Sequence, residues 1–241
     1  MNDPQRASGW LLQWRFVLAM LAVAVVACTS PIPQPGPAAE ASSPGINESY
    51  YREAAARGIA IFRVDPTRSL AVIEVYRAGS LARLGHDHVV ASHDVTGFIA
   101  PSEGRSDLRV PLQRLVVDEP NLRAEAGFDT RPSADDIEGT RKNMLKVLRA
   151  DAHPFAIVSV TSVSTDRRAH ATITLTGVTR PIEVPATIEA SGDAFAASGR
   201  FVLRQTDFGI VPLSVLGGAL QVRDDIAIRF VIRARRVPDA S

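Results

Sequence analysis

A single cysteine, Cys28, stands in 241 residues. With no second thiol, a disulfide framework, a multi-thiolate metal site and dithiol redox chemistry are all excluded. The chain also lacks an excess of either charge, since 27 lysines and arginines face 26 aspartates and glutamates. Phosphate backbones are held by a basic face and a net surplus of cations, so nucleic acid is not an expected partner. Missing too are the Gly-x-Ser-x-Gly elbow of many hydrolases and the His-Glu-x-x-His metal motif. Asp224-Asp225 would splay to opposite faces of a strand, and Asp135-Asp136 suits a helix start, where acids favour the dipole. Neither pair makes an acid–base dyad, and no enzymatic activity is expected. The uncharged apolar run Phe16 to Ala27 would reach about 18 Å as a helix, short of the ~30 Å of a hydrocarbon core.

What is present at the N-terminus has the layout of a secretory signal. Arg6 and Arg15 precede the apolar run, which closes on Val25-Val26-Ala27-Cys28. Those four residues resemble the lipobox of bacterial lipoproteins. The resemblance implies cleavage before Cys28, lipidation of Cys28, and a membrane-anchored protein on the periplasmic side of a bacterial cell envelope. Thr29, rather than an aspartate, favours the outer membrane. The alternative is a plain secretory signal in which Cys28 is incidental. Thr29–Gly45 holds 13 Pro, Gly, Ala or Ser residues among 17, a composition that cannot bury a core and reads as an extended tether. The expected organisation is a signal over residues 1–27, anchor and tether over 28–57, and one folded domain over 58–238. Without Arg6, Arg15 and Asp3, the remaining chain carries 25 basic and 25 acidic residues. Binding driven by bulk charge is therefore excluded.

Beyond the tether the periodicity is that of strands. Ile226, Ile228, Phe230 and Ile232 alternate with Ala227, Arg229, Val231 and Arg233, and Ala171, Ile173 and Leu175 alternate with threonines. A third alternating run, Ile182–Ile188, contains Pro185, which argues for an edge or a bulge and would offer a surface for a homodimer. Further strands are expected near 59–65, 70–77, 88–100, 108–118, 155–165 and 194–204. Two helices interrupt them. One spans Tyr51–Arg57 and ends at Gly58; the other begins at a capping box, Ser133-Ala134-Asp135-Asp136, and runs to about residue 149 before His153-Pro154. Strands with one apolar face each must stack or close on themselves, and the pattern alone leaves sandwich and barrel both open.

Three segments narrow the choice. They are Leu175-Thr176-Gly177-Val178-Thr179-Arg180-Pro181-Ile182, Phe201–Ile210 with its Arg204-Gln205-Thr206-Asp207-Phe208-Gly209 turn, and Val222–Ile228. With Val64–Ser69, Leu84-Gly85-His86-Asp87-His88 and Gly97-Phe98, they resemble the YceI-like family of bacterial envelope proteins. The resemblance extends from about Ile59 to Val237. It implies an all-β, lipocalin-like, eight-stranded antiparallel barrel with one inserted helix. It also implies an apolar tunnel that takes an isoprenoid lipid, either a polyprenyl chain or a quinone, with no cofactor. Phe98, Phe155, Ile173, Phe201, Ile228 and Phe230 are the candidate tunnel residues, against plain core packing as the alternative for each. Arg204 and Asp207 are expected to pair in their turn.

The remaining chemistry lies in His86-Asp87-His88, with His93 nearby. On a strand His86 and His88 would point the same way, and together they could grip a ligand head group or hold a metal ion. The metal reading needs a third ligand, for which His153 and His170 are the candidates. A filled barrel with a purely structural role is the third reading. The carrier reading ranks first.

Overall fold

The computed structural model describes residues 45–238; the expected signal segment, Cys28 and most of the tether lie outside the described residues. The described chain runs α1 (Glu48–Ala56), β1 (Phe62–Val64), β2 (Leu70–Val75), β3 (Arg77–Ala78), β4 (His88–Ser92), β5 (Thr96–Ala100), β6 (Arg105–Pro111) and β7 (Val116–Val117). Helices α2 (Pro120–Glu125) and α3 (Ala134–Val147) follow. Then come β8 (Phe155–Val163), β9 (Arg168–Leu175), β10 (Val178–Ser191), β11 (Ala194–Arg204), β12 (Ser214–Val215), β13 (Leu220–Val222) and β14 (Asp225–Arg236).

Three pairs of these strands act as single bent staves. β1 runs into β2 through a short helical turn at Pro66–Arg68, β4 into β5 through His93–Val95, and β6 into β7 through Leu112–Arg114. Each stave then pairs antiparallel with the next in sequence, through β8, β9, β10 and β11 to β14. β14 closes the ring, because Ala234–Arg236 pair with β1 and Ala227–Val231 pair with β2. The result is a closed, eight-stranded, up-and-down barrel in which every stave pairs on both sides. A small sheet of β3, β13 and β12 lies beyond the end where β2 finishes and β14 begins.

One seam in the wall is incomplete, and two prolines account for it. β10 pairs with β9 from Val178 to Pro185 but meets β11 only from Ala186 onward. The N–H of Ala186 bonds the Arg167 carbonyl on the β9 side at 3.0 Å. By alternation, the nitrogens of Pro181 and Pro185 face β11, on the side where no ladder forms. The chain after β11 fills this gap. Phe208 and Ile210 pack there against Ile173, Ile182, Phe201 and Leu203, and the Thr176 hydroxyl donates to the Phe208 carbonyl at 2.5 Å. Pro185 thus marks a half-free flank inside a closed barrel. In the same turn Arg204 pairs with Asp224 at 3.3 Å, not with Asp207; Asp224 also receives the Thr206 N–H at 2.8 Å.

α3 follows its sequence signal, α1 begins three residues before the expected Tyr51, and α2 was not expected from the sequence. Ser133 and Asp136 make the reciprocal capping box at the start of α3, with the Asp136 N–H donating to Ser133 Oγ and the Ser133 N–H to the Asp136 carboxylate. α3 stops at Val147, before His153-Pro154, because Arg149 takes a positive φ and its carbonyl receives the His153 N–H. It lies across one end of the barrel, with Ile137, Met144, Leu145 and Leu148 packed on Leu112, Leu115 and Val117. α1, capped by Asn47, lies on the outer wall, where Tyr51 stacks on Phe98 (5.3 Å) and its hydroxyl donates to Asp107 at 3.1 Å. α2 covers the outside of β2 and β4 by burying Leu122 against Val72 and Val89.

Gly97 is the tightest point of this wall. Its φ is +151°, and a Cβ built there would lie 2.1 Å from the Asp107 carbonyl oxygen. That contact is with backbone on the paired strand, so it cannot relax by a rotamer change. Gly97→Ala should therefore cost roughly 2–4 kcal/mol. A urea titration of the variant that kept the parental midpoint would overturn this reading of the β5–β6 junction.

Candidate functional site

The barrel encloses a cavity of about 650 Å³, within the ~300–1,000 Å³ typical of small-molecule sites. Its walls come from the inward positions of every stave: Ile73, Ile99, Leu108 and Val110 from the bent staves, Val158 and Ile173 from β8 and β9, Val184 and Ile188 from β10, Phe201 and Leu203 from β11, and Ile228 and Phe230 from β14. The bore stays open because small side chains share the lining. Ala71, Ala156, Ala169, Ala171, Ala186 and Ala197 all point inward. Eight strands give an interior that ordinary side chains can fill, and alanine at six inward positions leaves room for something else.

Polar groups occur only toward the two ends. Ser106, Arg105 and Arg167 stand at one, and His88, Thr140, Asn143 and Gln205 stand at the other, beneath and beside α3. At the α3 end Leu213 both lines the cavity and is 46% exposed. The apolar lining thus continues out to solvent there.

Of the residues singled out from the sequence, Ile173, Phe201, Ile228, Phe230 and His88 line the cavity. Phe98 stands on the opposite face of the wall, under Tyr51. Phe155 is also on the outside, with the Arg109 guanidinium over its ring at 5.0 Å. Both follow from parity, since the neighbours that line the bore are Ile99 and Ala156. His86 is set apart from the lining. β4 begins only at His88, so the alternation that would align the two histidines does not extend back to His86. Its Nδ1 is buried without a hydrogen-bond partner, its Nε2 lies 3.9 Å from Asp136, and its ring centroid is 6.2 Å from that of His88.

The histidines do not assemble as metal ligands. His93 pairs with Glu119 at 2.8 Å, His170 with Glu183 at 3.6 Å, and the His153 ring packs against the Gly177 turn. Among the described residues no group of three His, Cys, Asp or Glu side chains could hold a metal ion.

His88 instead belongs to a network that sequence reading missed. Asp118, whose side chain is wholly buried, accepts from His88 Nδ1 at 2.6 Å, from the Val89 N–H at 3.0 Å and from Arg123 at 2.5 Å. Arg123, 8% exposed, also donates to the carbonyls of Asp87 and Thr130. Burial alone would push the Asp118 carboxyl up. The hydrogen bonds from His88, Val89 and Arg123 outweigh it and hold the group below the usual carboxylate range. On its other side, His88 Nε2 faces Thr140 Oγ1 at 3.5 Å.

A closed antiparallel barrel of eight strands around an apolar cavity defines a lipocalin-like architecture. Over residues 62–234 the sequence matches the model of the YceI-like domain, and the chain belongs to the YceI-like family. The fold is shared with a polyisoprenoid binding domain from Saccharophagus degradans implicated in plant cell wall breakdown. That structure is 12% identical, with a TM-score of 0.53 over 73% of this chain and 98% of that one. BcnA of Burkholderia cenocepacia is 11% identical, covering 70% of this chain and 98% of that one at a TM-score of 0.47. The YCEI protein of Campylobacter jejuni is 13% identical, covering 60% and 82% at 0.40. No curated protein matches this chain in sequence.

The Asp118 network makes a pH prediction with a definite sign. The folded-state value lies below the unfolded one, so the stabilisation is full above the unfolded carboxylate value of about 3.9 and fades as pH falls through the folded value. Asp118→Asn leaves Arg123 buried and unpaired, at a cost of roughly 3–5 kcal/mol near neutral pH. The variant should also lose less further stability than the parent between about pH 5 and 3. Urea titrations at both pH values check this, and equal acid sensitivity of the two proteins would refute it.

Proposed function

We propose that the protein is a non-enzymatic carrier or sequestering protein for an isoprenoid lipid, a polyprenyl chain or a prenylated quinone, held in the barrel. The observation that carries this reading is the cavity of about 650 Å³, walled by aliphatic and aromatic side chains with polar groups only at its ends. Membership of a family with a polyisoprenoid binding domain among its structural relatives supports it.

The energetics select a long tail. At about 0.8 kcal/mol per buried methylene, one five-carbon prenyl unit contributes roughly 4 kcal/mol before costs. Association of a flexible ligand costs about 4–15 kcal/mol. A single unit therefore does not suffice, and several in sequence do. The apolar N-terminal run and the lipobox-like residues around Cys28 support a lipid-anchored position on the periplasmic side of the cell envelope in this reading. No helix among the described residues is long and apolar enough to cross a membrane.

Native mass spectrometry of the full-length chain purified from bacterial cells is expected to show an adduct that organic solvent releases and whose mass fits a prenyl lipid. Ala171→Trp, which would fill the bore from β9, should lower affinity for added prenyl lipid at least tenfold while the barrel still folds. An adduct-free parent that stays free after incubation with prenols and ubiquinone would sink the carrier reading.

A further inference from the structure

Resting on the carrier reading above, the geometry points to a head-group site at the α3 end of the cavity. There His88 and Thr140, with Asn143 at the rim, receive an uncharged, hydroxyl-bearing head group, a prenol or a reduced quinone rather than a prenyl phosphate. Asp118 is wholly buried and ionised between Arg123 and the Val89 N–H, so it can only accept hydrogen bonds. His88 Nδ1, 2.6 Å from that carboxylate, must therefore carry a proton. In the neutral ring Nε2 is then the unprotonated nitrogen, and it faces the cavity as an acceptor.

Its neighbour across the cavity end is Thr140 Oγ1 on α3, at 3.5 Å. That separation is at the outer limit of a hydrogen bond, so the pair is poorly satisfied by itself. A ligand hydroxyl placed against both groups would donate to Nε2 and accept from the Thr140 hydroxyl or the Asn143 amide. Such an oxygen uses both of its capacities there. A hydrocarbon end would leave these polar groups unpaired, which is the stronger source of discrimination.

The charge distribution argues against phosphate. Among the described residues no lysine or arginine lines this end of the cavity. Arg123, the nearest buried cation, is already spent on Asp118 and two backbone carbonyls. The arginines that do line the cavity, Arg105 and Arg167, stand at the opposite end. A phosphate carrying about −1.5 to −2 charges would lose its water here with no lysine or arginine among the lining residues to replace it. The site also has a fixed back wall: the Asp118–Arg123 pair is buried, so His88 is oriented before any ligand arrives. His88 is thus a specificity residue, and Asp118 a positioning residue that acts through it.

The test compares geranylgeraniol, geranylgeranyl monophosphate and the matching hydrocarbon without oxygen. Each competes for the full-length chain against an environment-sensitive fluorescent lipid probe. The alcohol is expected to bind at least tenfold more tightly than either of the others. Thr140→Val, nearly isosteric on a half-buried helix position, should weaken the alcohol about fivefold and leave the hydrocarbon unchanged. His88→Gln, which keeps a polar side chain against Asp118, should narrow the alcohol–hydrocarbon gap in the same way. Equal binding of all three, or tightest binding of the phosphate, would overturn the head-group assignment while leaving the carrier reading intact. If none of the three competes, the carrier reading fails and this assignment fails with it.

Discussion

The fold depends on one closure, the pairing of β14 with both parts of the first stave. Asp225–Arg236 bonds β11 along one flank and divides the other between β2 and β1. That single strand turns an open meander into a cylinder whose diameter is set by strand number and stagger, not by what fills it. An open sheet over the same side chains could collapse until its apolar face was dry. A closed ladder cannot shrink without breaking hydrogen bonds all round the ring, so the bore keeps its width. Whether it is a core or a cavity is then decided residue by residue. Alanine at positions 71, 156, 169, 171, 186 and 197 decides it in favour of a cavity.

The same constraint explains where the wall gives way. Pro181 and Pro185 remove two donors from the flank of β10 that faces β11, and the ladder there begins only at Ala186. Left open, that flank would expose backbone carbonyls and the edge of the cavity. The chain leaving β11 turns back and buries Phe208 and Ile210 in the opening, tied to the Thr176 hydroxyl. The Arg204–Gly209 turn therefore serves the barrel wall, and its organising acid is Asp224, which holds Thr206 and Arg204 together.

Much of this was legible in the sequence because period-two alternation is unambiguous wherever one face is polar. Ile173 sits between two threonines and Ile228 and Phe230 flank Arg229, and all three face the bore. Phe98 and Phe155 lie in runs where adjacent residues are both apolar, Phe98-Ile99 and Phe155-Ala156-Ile157-Val158, so alternation carries no parity there. The outer face is apolar at Phe98 because α1 lies on it, and at Ile157 because the chain around Gly45 packs against it. A helix on the outside of a wall reads, in sequence, like a second inside. The capping box of α3 was legible for the opposite reason, since both of its partners lie within one turn.

Apart from His88, the polar end of the cavity was beyond sequence reasoning, and the reason is topological. His88 opens β4, Asp118 holds a left-handed backbone position just past β7, Arg123 lies on α2 and Thr140 on α3. No spacing rule joins four segments that meet only once the barrel has closed. Physical chemistry still limits what such a meeting can do. A buried carboxylate matched by one arginine keeps a proton on Nδ1 of the histidine between itself and the cavity, so that in the neutral ring Nε2 meets the cavity as an acceptor. In the carrier reading proposed above, the apolar length of the bore would govern how tightly a tail is held, with little regard for the tail's end. The histidine and its threonine neighbour would govern which end is accepted. Affinity and selectivity would then be carried by different residues, and substitutions in one set need not disturb the other.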